Sequence, residues 1–170
     1  GILNHTSKGN PCTLEGQVVS LADRIAYVNH DIDDALRSGL LSKELLPHDY
    51  DDILGVTHGS RINALVADVI ENSAGKDHVA MSARGFAALN CLRDFLFSHL
   101  YRLPIVLAEE EKSANILQAL FGHYVTHLEE LPEYLSHEEP EIQAKDYIAG
   151  MTDQYAVRCF EAIYIPKGFL

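Results

Sequence analysis

LADRIAYVNHDIDD, residues 21–34, is the stretch on which the reading of this chain turns. Set on a helical wheel at about 100° per residue, it separates into two stripes. Val18, Leu21, Ile25, Ile32 and Leu36 gather on one side. Asp23, Tyr27, His30, Asp31 and Asp34 gather on the other, with Arg24 beside them. Thr13, after Asn10-Pro11, is a suitable N-cap, Glu15 falls in the first turn, and Gly39 offers a stop. The spacing therefore predicts one long amphipathic helix from Leu14 to about Gly39.

The same period recurs outward from this helix. After a loop containing Pro47 and a short turn at 51–54, a helix is predicted over about 60–73, ending at Gly75, with Ile62, Leu65, Val66, Val69 and Ile70 inward. Ser82 caps the next helix, whose apolar positions run from Phe86 through Leu89, Leu92, Phe95 and Leu96 to Leu100, ending before Pro104. Another follows over about 104–128, with Pro104 in its first turn. A connection holds Pro132 and the acidic run His137 to Glu141, and a last helix is predicted over about 141–164, stopped by Pro166. No hairpin dipeptide and no long alternating segment is present, so the expected fold class is all-α.

The 170 residues suffice for a real core, and the composition is that of a globular domain. No apolar run approaches the roughly 18 residues of a membrane span, so no membrane partner is expected. Cys12, Cys91 and Cys159 are too few and too far apart for a disulfide framework or a CxxC metal site, which favours a cytoplasmic setting. The formal charge is −12. Such a surface repels a phosphate backbone, so strong nucleic-acid binding is not expected. A small anionic substrate stays possible where arginines or a metal ion reverse the potential locally. The chain opens on Gly1 rather than Met, which points to a tag remnant or to a piece of a longer protein.

The polar stripe holds residue types that suit phosphate chemistry. Asp23 offers a hard oxygen ligand for a divalent cation. Arg24 and Tyr27 can donate to phosphate oxygens, and Asp31 can accept from a sugar hydroxyl. From pattern alone, the plainer reading is the solvated face of an amphipathic helix.

Four segments in order carry a more specific resemblance: TLEGQVVSLAD, LADRIAYVNHDIDDAL, LRDFLFSHLY and DYIAGMTDQYA. Together they make the chain similar to the deoxyguanosinetriphosphate triphosphohydrolase-like family of the HD superfamily, in its C-terminal portion. The resemblance implies a multi-helix phosphohydrolase fold. Residues 1–40 would be the end of the HD domain with its last metal-ligand helix, and 41–170 a phosphohydrolase-associated helical region, together one compact unit. It implies Asp23 as the last metal-ligand Asp, and Arg24, Tyr27 and Arg93 as triphosphate contacts. Asp31 would bind the sugar 3′-hydroxyl, and Tyr101 would pack against the sugar. The spacing of eight keeps Arg93 and Tyr101 on nearly one helix face. His30-Asp31 is not expected to be the metal-binding HD pair. That pair, the first metal His and the catalytic residues would lie upstream of Gly1.

The implied reaction is metal-dependent hydrolysis of a deoxynucleoside triphosphate to the deoxynucleoside and inorganic triphosphate, with Mg²⁺ or Mn²⁺, in a homo-oligomer, often a hexamer, open to nucleotide regulation. Two other readings stand beside it: an HD phosphohydrolase acting on nucleoside monophosphates or alarmones, and an inactive helical scaffold or oligomerisation fragment. By itself the chain is expected to show little turnover.

Weaker candidates have plainer explanations. His123 and His127 have the i, i+4 spacing of zinc ligands but no third partner, and surface histidines are the simpler reading. His99 falls between Arg93 and Tyr101 in sequence and is expected at the core edge or exposed. Arg61, after Gly59-Ser60, could share an anion with helix amides, though an ordinary helix cap is simpler. Gly150 is expected to allow close helix packing, Asp153 is a marginal site candidate, and the acidic stretch from Glu129 to Glu141 is expected to be solvated.

Overall fold

A computed structural model describes residue 9 and residues 11–168. Those residues form α1 (Leu14–Arg37), α2 (Asp51–Leu54), α3 (His58–Ser73), α4 (Ala83–His99), α5 (Pro104–Thr126), α6 (Pro140–Ala149) and α7 (Asp153–Tyr164). Short 3-10 turns occupy Lys43–Leu45, Leu128–Glu130 and Glu133–Leu135. No strand occurs among the described residues, so the fold is all-α as the periodicity predicts. None of the described helices is long and apolar enough to cross a membrane. The packing separates into two compact units, one ending at Leu103 and the other beginning at Pro104.

In the first unit, α1 begins where the sequence places it. The Thr13 hydroxyl accepts from the Gly16 amide at 3.1 Å, and Gly39 ends the run with a positive φ of 75°. Ile25, Val28, Ile32 and Ala35 bury one face of α1 against α3 and α4. From α3 comes Leu65, and from α4 come Ala88, Leu89, Leu92, Phe95 and Leu96. Gln17 fastens the start of α1: its Oε1 accepts from the Val79 amide at 2.8 Å, and its Nε2 donates to the Pro11 carbonyl at 3.3 Å.

α3 starts two residues earlier than the sequence suggests. Thr57 and Ser60 close a reciprocal capping box, each side chain serving the other's backbone amide. Gly55 is needed just before it. Its φ is +69°, and a Cβ there would come within 2.5 Å of the Ser60 hydroxyl.

The predicted inward face of α3 is narrower than its apolar stripe. Leu65 is buried and Ile62 and Val69 are partly covered, but Val66 and Ile70 are exposed, as is Val18 on α1. These three border an open apolar groove with Leu21, Val69 and Val79. A wheel marks the direction of a stripe and not how far its flanks are covered; here α1 and α3 meet along their buried centres and leave the outer rows apart. Phe86, an apolar position of α4, is likewise exposed.

In the second unit, α6 and α7 both pack on α5. Leu120, Tyr124, Leu131, Ala144 and Ala156 form its buried centre. The Tyr164 hydroxyl donates to the Ala119 carbonyl at 2.8 Å. The single last helix predicted over about 141–164 is in fact two. The chain leaves helix at Gly150-Met151, and the Thr152 hydroxyl caps α7 by accepting from the Tyr155 amide at 3.3 Å. The break lets two short apolar faces meet α5 where one straight rod could not. Gly150 is not a close-packing glycine: its φ is −83°, and an added Cβ would meet only carbonyl oxygens at 3.5 and 3.6 Å. α5 also ends at Thr126, two residues short of the predicted end, and Leu128 opens a 3-10 turn.

Candidate functional site

The polar stripe of α1 is not uniformly solvated. Asp23 is exposed, but Tyr27 and Asp31 are half-buried, and Tyr27 packs against the core. Opposite them stand two residues of the α4 segment. The Tyr101 hydroxyl, just past the end of α4, donates a short hydrogen bond to Asp31 Oδ2. Its ring meets Phe97 edge-on with centroids 5.1 Å apart. Arg93 is half-buried two turns earlier, its guanidinium held by its neighbour Asp94 through Nη2 at 2.8 Å and Nε at 3.1 Å.

Electrostatics tie these groups together. Burial pushes the Tyr27 phenol above its ordinary value, while the positive charges of Arg93 and Arg24 pull it down and Asp31 and Asp23 push it up. All five therefore lie within charge–charge reach. Burial also pushes Tyr101 up, and the Asp31 hydrogen bond and charge add to that. Tyr101 is thus a protonated donor at neutral pH. Arg24 leans over Phe86 with its guanidinium carbon 5.8 Å from the ring centroid, a cation–π contact. The structure thus brings Tyr27, Asp31, Arg93 and Tyr101 together, with Arg24 and Asp23 on the same stripe.

The group offers a carboxylate acceptor, two phenols and two guanidinium groups, donors and acceptors that suit a polar, anionic ligand. A metal is another matter. Among the described residues, no group of three or more His, Cys, Asp or Glu side chains could hold an ion. Asp23 is a lone exposed carboxylate, so these residues do not make a metal centre.

A family model for the phosphohydrolase-associated domain matches residues 79–162. The chain is also 45% identical, over 98% of its length, to the deoxyguanosinetriphosphate triphosphohydrolase-like protein of Caldanaerobacter subterraneus subsp. tengcongensis. It is 40% identical over 98% of its length to the protein of that name from Clostridium tetani, and 34% over 91% to that of Desulfatibacillum aliphaticivorans. The chain belongs to the deoxyguanosinetriphosphate triphosphohydrolase-like family. It spans about half the length of the curated relatives it matches, at 50%, 52% and 48% of the three.

Within this family member, His99, Asp153 and the acidic stretch fall where the plainer readings put them, whereas His123 and His127 are partly buried and not surface histidines. His30 and Asp31 turn to different neighbours: the His30 ring lies 5.0 Å from that of His58, and Asp31 holds Tyr101. His99 is exposed and stacks on Phe95 at 4.4 Å. The His123 and His127 rings stack in parallel at 4.2 Å, with His123 Nε2 on Glu130 at 3.0 Å, so they do not converge on an ion. Asp153 is exposed in the first turn of α7, and the glutamates from Glu129 to Glu141 are exposed.

A further buried polar pair, not marked by the polar stripe, lies on the other flank of α1. Asn29 is fully buried, its Nδ2 donating to the Ile25 carbonyl at 2.7 Å. Its Oδ1 accepts from Arg61 Nε at 2.9 Å, and Arg61 is only 5% exposed. Arg61 is therefore no simple cap residue. An Asn at a core position of the wheel is the signal that should have called for a buried donor elsewhere in the chain.

Proposed function

We propose that the protein to which this chain belongs hydrolyses deoxynucleoside triphosphates to the deoxynucleoside and inorganic triphosphate. The observation that carries the reading is the half-buried group formed by Tyr27, Asp31, Arg93 and Tyr101, in a chain whose relatives bear the triphosphohydrolase-like name. Arg24, Tyr27 and Arg93 would hold the triphosphate, since donors fixed where charge develops contribute strongly to such reactions. Asp31 would accept from the 3′-hydroxyl, and the Tyr101 ring would pack on the sugar. Water adds at the α-phosphorus, and the bond to the 5′-oxygen breaks.

Mg²⁺ or Mn²⁺ is proposed as the cofactor of the full-length enzyme. Asp23 would be one oxygen ligand, with the remaining ligands and the catalytic groups supplied by other parts of the protein. A homo-oligomer is proposed as its working form.

The test is product analysis with the full-length protein and each dNTP in the presence of Mg²⁺ or Mn²⁺. Intact inorganic triphosphate is the expected product. Orthophosphate or pyrophosphate would move the assignment to another phosphohydrolase class, and absence of any turnover would favour a scaffold.

A further inference from the structure

A cavity of about 310 Å³ lies in the first unit, on the flank of α1 away from Tyr27 and Asp31. Leu36, Leu46, Pro47, Leu54 and Leu92 give it apolar walls. Its polar lining is unusual. Arg61, more than nine-tenths buried, lines the cavity, and the one hydrogen bond of its guanidinium among the described residues runs from Nε to Asn29. Asp33 and Asp51 also line the cavity and both favour the charged form of Arg61, but neither is in ion-pair contact with it among the described residues; Asp33 lies 3.5 Å from Arg37 and Asp51 2.6 Å from His48. A buried guanidinium without a partnered anion is costly. Beside it, His58 Nε2 is buried with no hydrogen-bond partner among the described residues, and His58 also lines the cavity. Lys43 stands at the rim.

A partly open recess with apolar walls, a buried cation without a direct ion pair among the described residues and one orphaned ring nitrogen form the chemistry of a ligand site. We propose that this cavity binds a small organic anion, its carboxylate or phosphate group on Arg61 and His58 and its apolar body against Leu46, Leu54 and Leu92. The site is separate from the proposed triphosphate wall and does not depend on that reading.

Amide NMR of the 170-residue chain, titrated with benzoate, phenyl phosphate and the neutral benzyl alcohol, tests it. Saturable shifts are expected around residues 54–61 with at least one anion and not with benzyl alcohol. Which anion binds more tightly separates a carboxylate ligand from a phosphate ester. Arg61→Met should weaken that binding at least about tenfold, the loss of one charge-assisted contact. If that variant does not fold, His58→Ala and Lys43→Ala decide, and undiminished binding in both overturns the proposal. So does a result in which neither anion binds, in which the alcohol binds equally well, or in which the shifts fall at residues 23–31 and 93–101 instead.

Discussion

Tyr101 donates its phenolic hydrogen to Asp31, holding the chain just past α4 against the middle of α1. The carboxylate that would receive a sugar hydroxyl is thus already occupied by a donor from the same protein. A ligand must either share that acceptor or displace the phenol from it.

The same bond sets an alkaline limit on stability. Burial, and then Asp31, raise the Tyr101 phenol above its ordinary 10.0, and burial raises Tyr27 in the same direction. The folded protein therefore keeps protons that the unfolded chain releases above about pH 10. The stabilisation is complete below that point and is lost as pH rises toward the folded-state values. Denaturant titrations at increasing alkaline pH should show a falling unfolding free energy, with a shallower fall in Tyr101→Phe. Equal slopes in the two proteins would remove Tyr101 from the account.

Asp23 separates function from stability. Because it is exposed, Asp23→Asn should change the unfolding free energy by no more than about 0.5 kcal/mol. In the full-length enzyme the same change should lower triphosphate release at least about a hundredfold, the scale of losing a metal-held transition-state contact. Denaturation and turnover measured on one preparation check both halves, and undiminished turnover removes Asp23 from the proposed metal set.

The two rows of α3 differ in weight. Leu65 is 1% exposed and Ile70 63% exposed. Leu65→Ala should cost about 2–5 kcal/mol by leaving a cavity in the core. Ile70→Ala should cost about 0.5 kcal/mol or less. Chemical denaturation of both variants decides whether the outer row is as peripheral as its exposure indicates.

Two glycines invite opposite outcomes. Gly55→Ala forces a side chain into the positive-φ region and onto the Ser60 hydroxyl, and should cost about 1–3 kcal/mol through strain and loss of the α3 capping box. Gly150→Ala meets no such obstacle and should be neutral or stabilising by up to about 1 kcal/mol. Thermal unfolding of both variants checks the two signs, and a lower midpoint for Gly150→Ala than for the parent would show that the α6–α7 break needs the glycine.

Helices with an N-cap and a glycine stop were legible from the sequence almost to the residue, as α1 shows with Thr13 and Gly39. The α6–α7 break was not, because Gly150 takes an ordinary helical φ there and the decisive signal, Thr152, looks like any mid-helix threonine until its hydroxyl is seen on the Tyr155 amide. The stripe from Asp23 to Asp31 was visible as a pattern, but a pattern does not say what stands opposite. The resemblance already named Arg93 and Tyr101 for the same site; the fold adds the hydrogen bond by which Tyr101 meets Asp31. Arg61 was legible as a residue at a helix start and illegible as a buried cation, since its partner Asn29 lies 32 residues away.

Those separations also order events in time. Asp31 and Tyr101 are 70 residues apart, and Gln17 and Val79 are 62 apart. Closing loops of that length carries an entropic cost that nearby contacts avoid, so such pairs form after the helices they join. During synthesis, α1 emerges with its polar stripe long before Tyr101 exists to meet it. A nascent chain halted before residue 101 would carry every α1 residue named for the candidate site and still lack the phenol that closes it on Asp31.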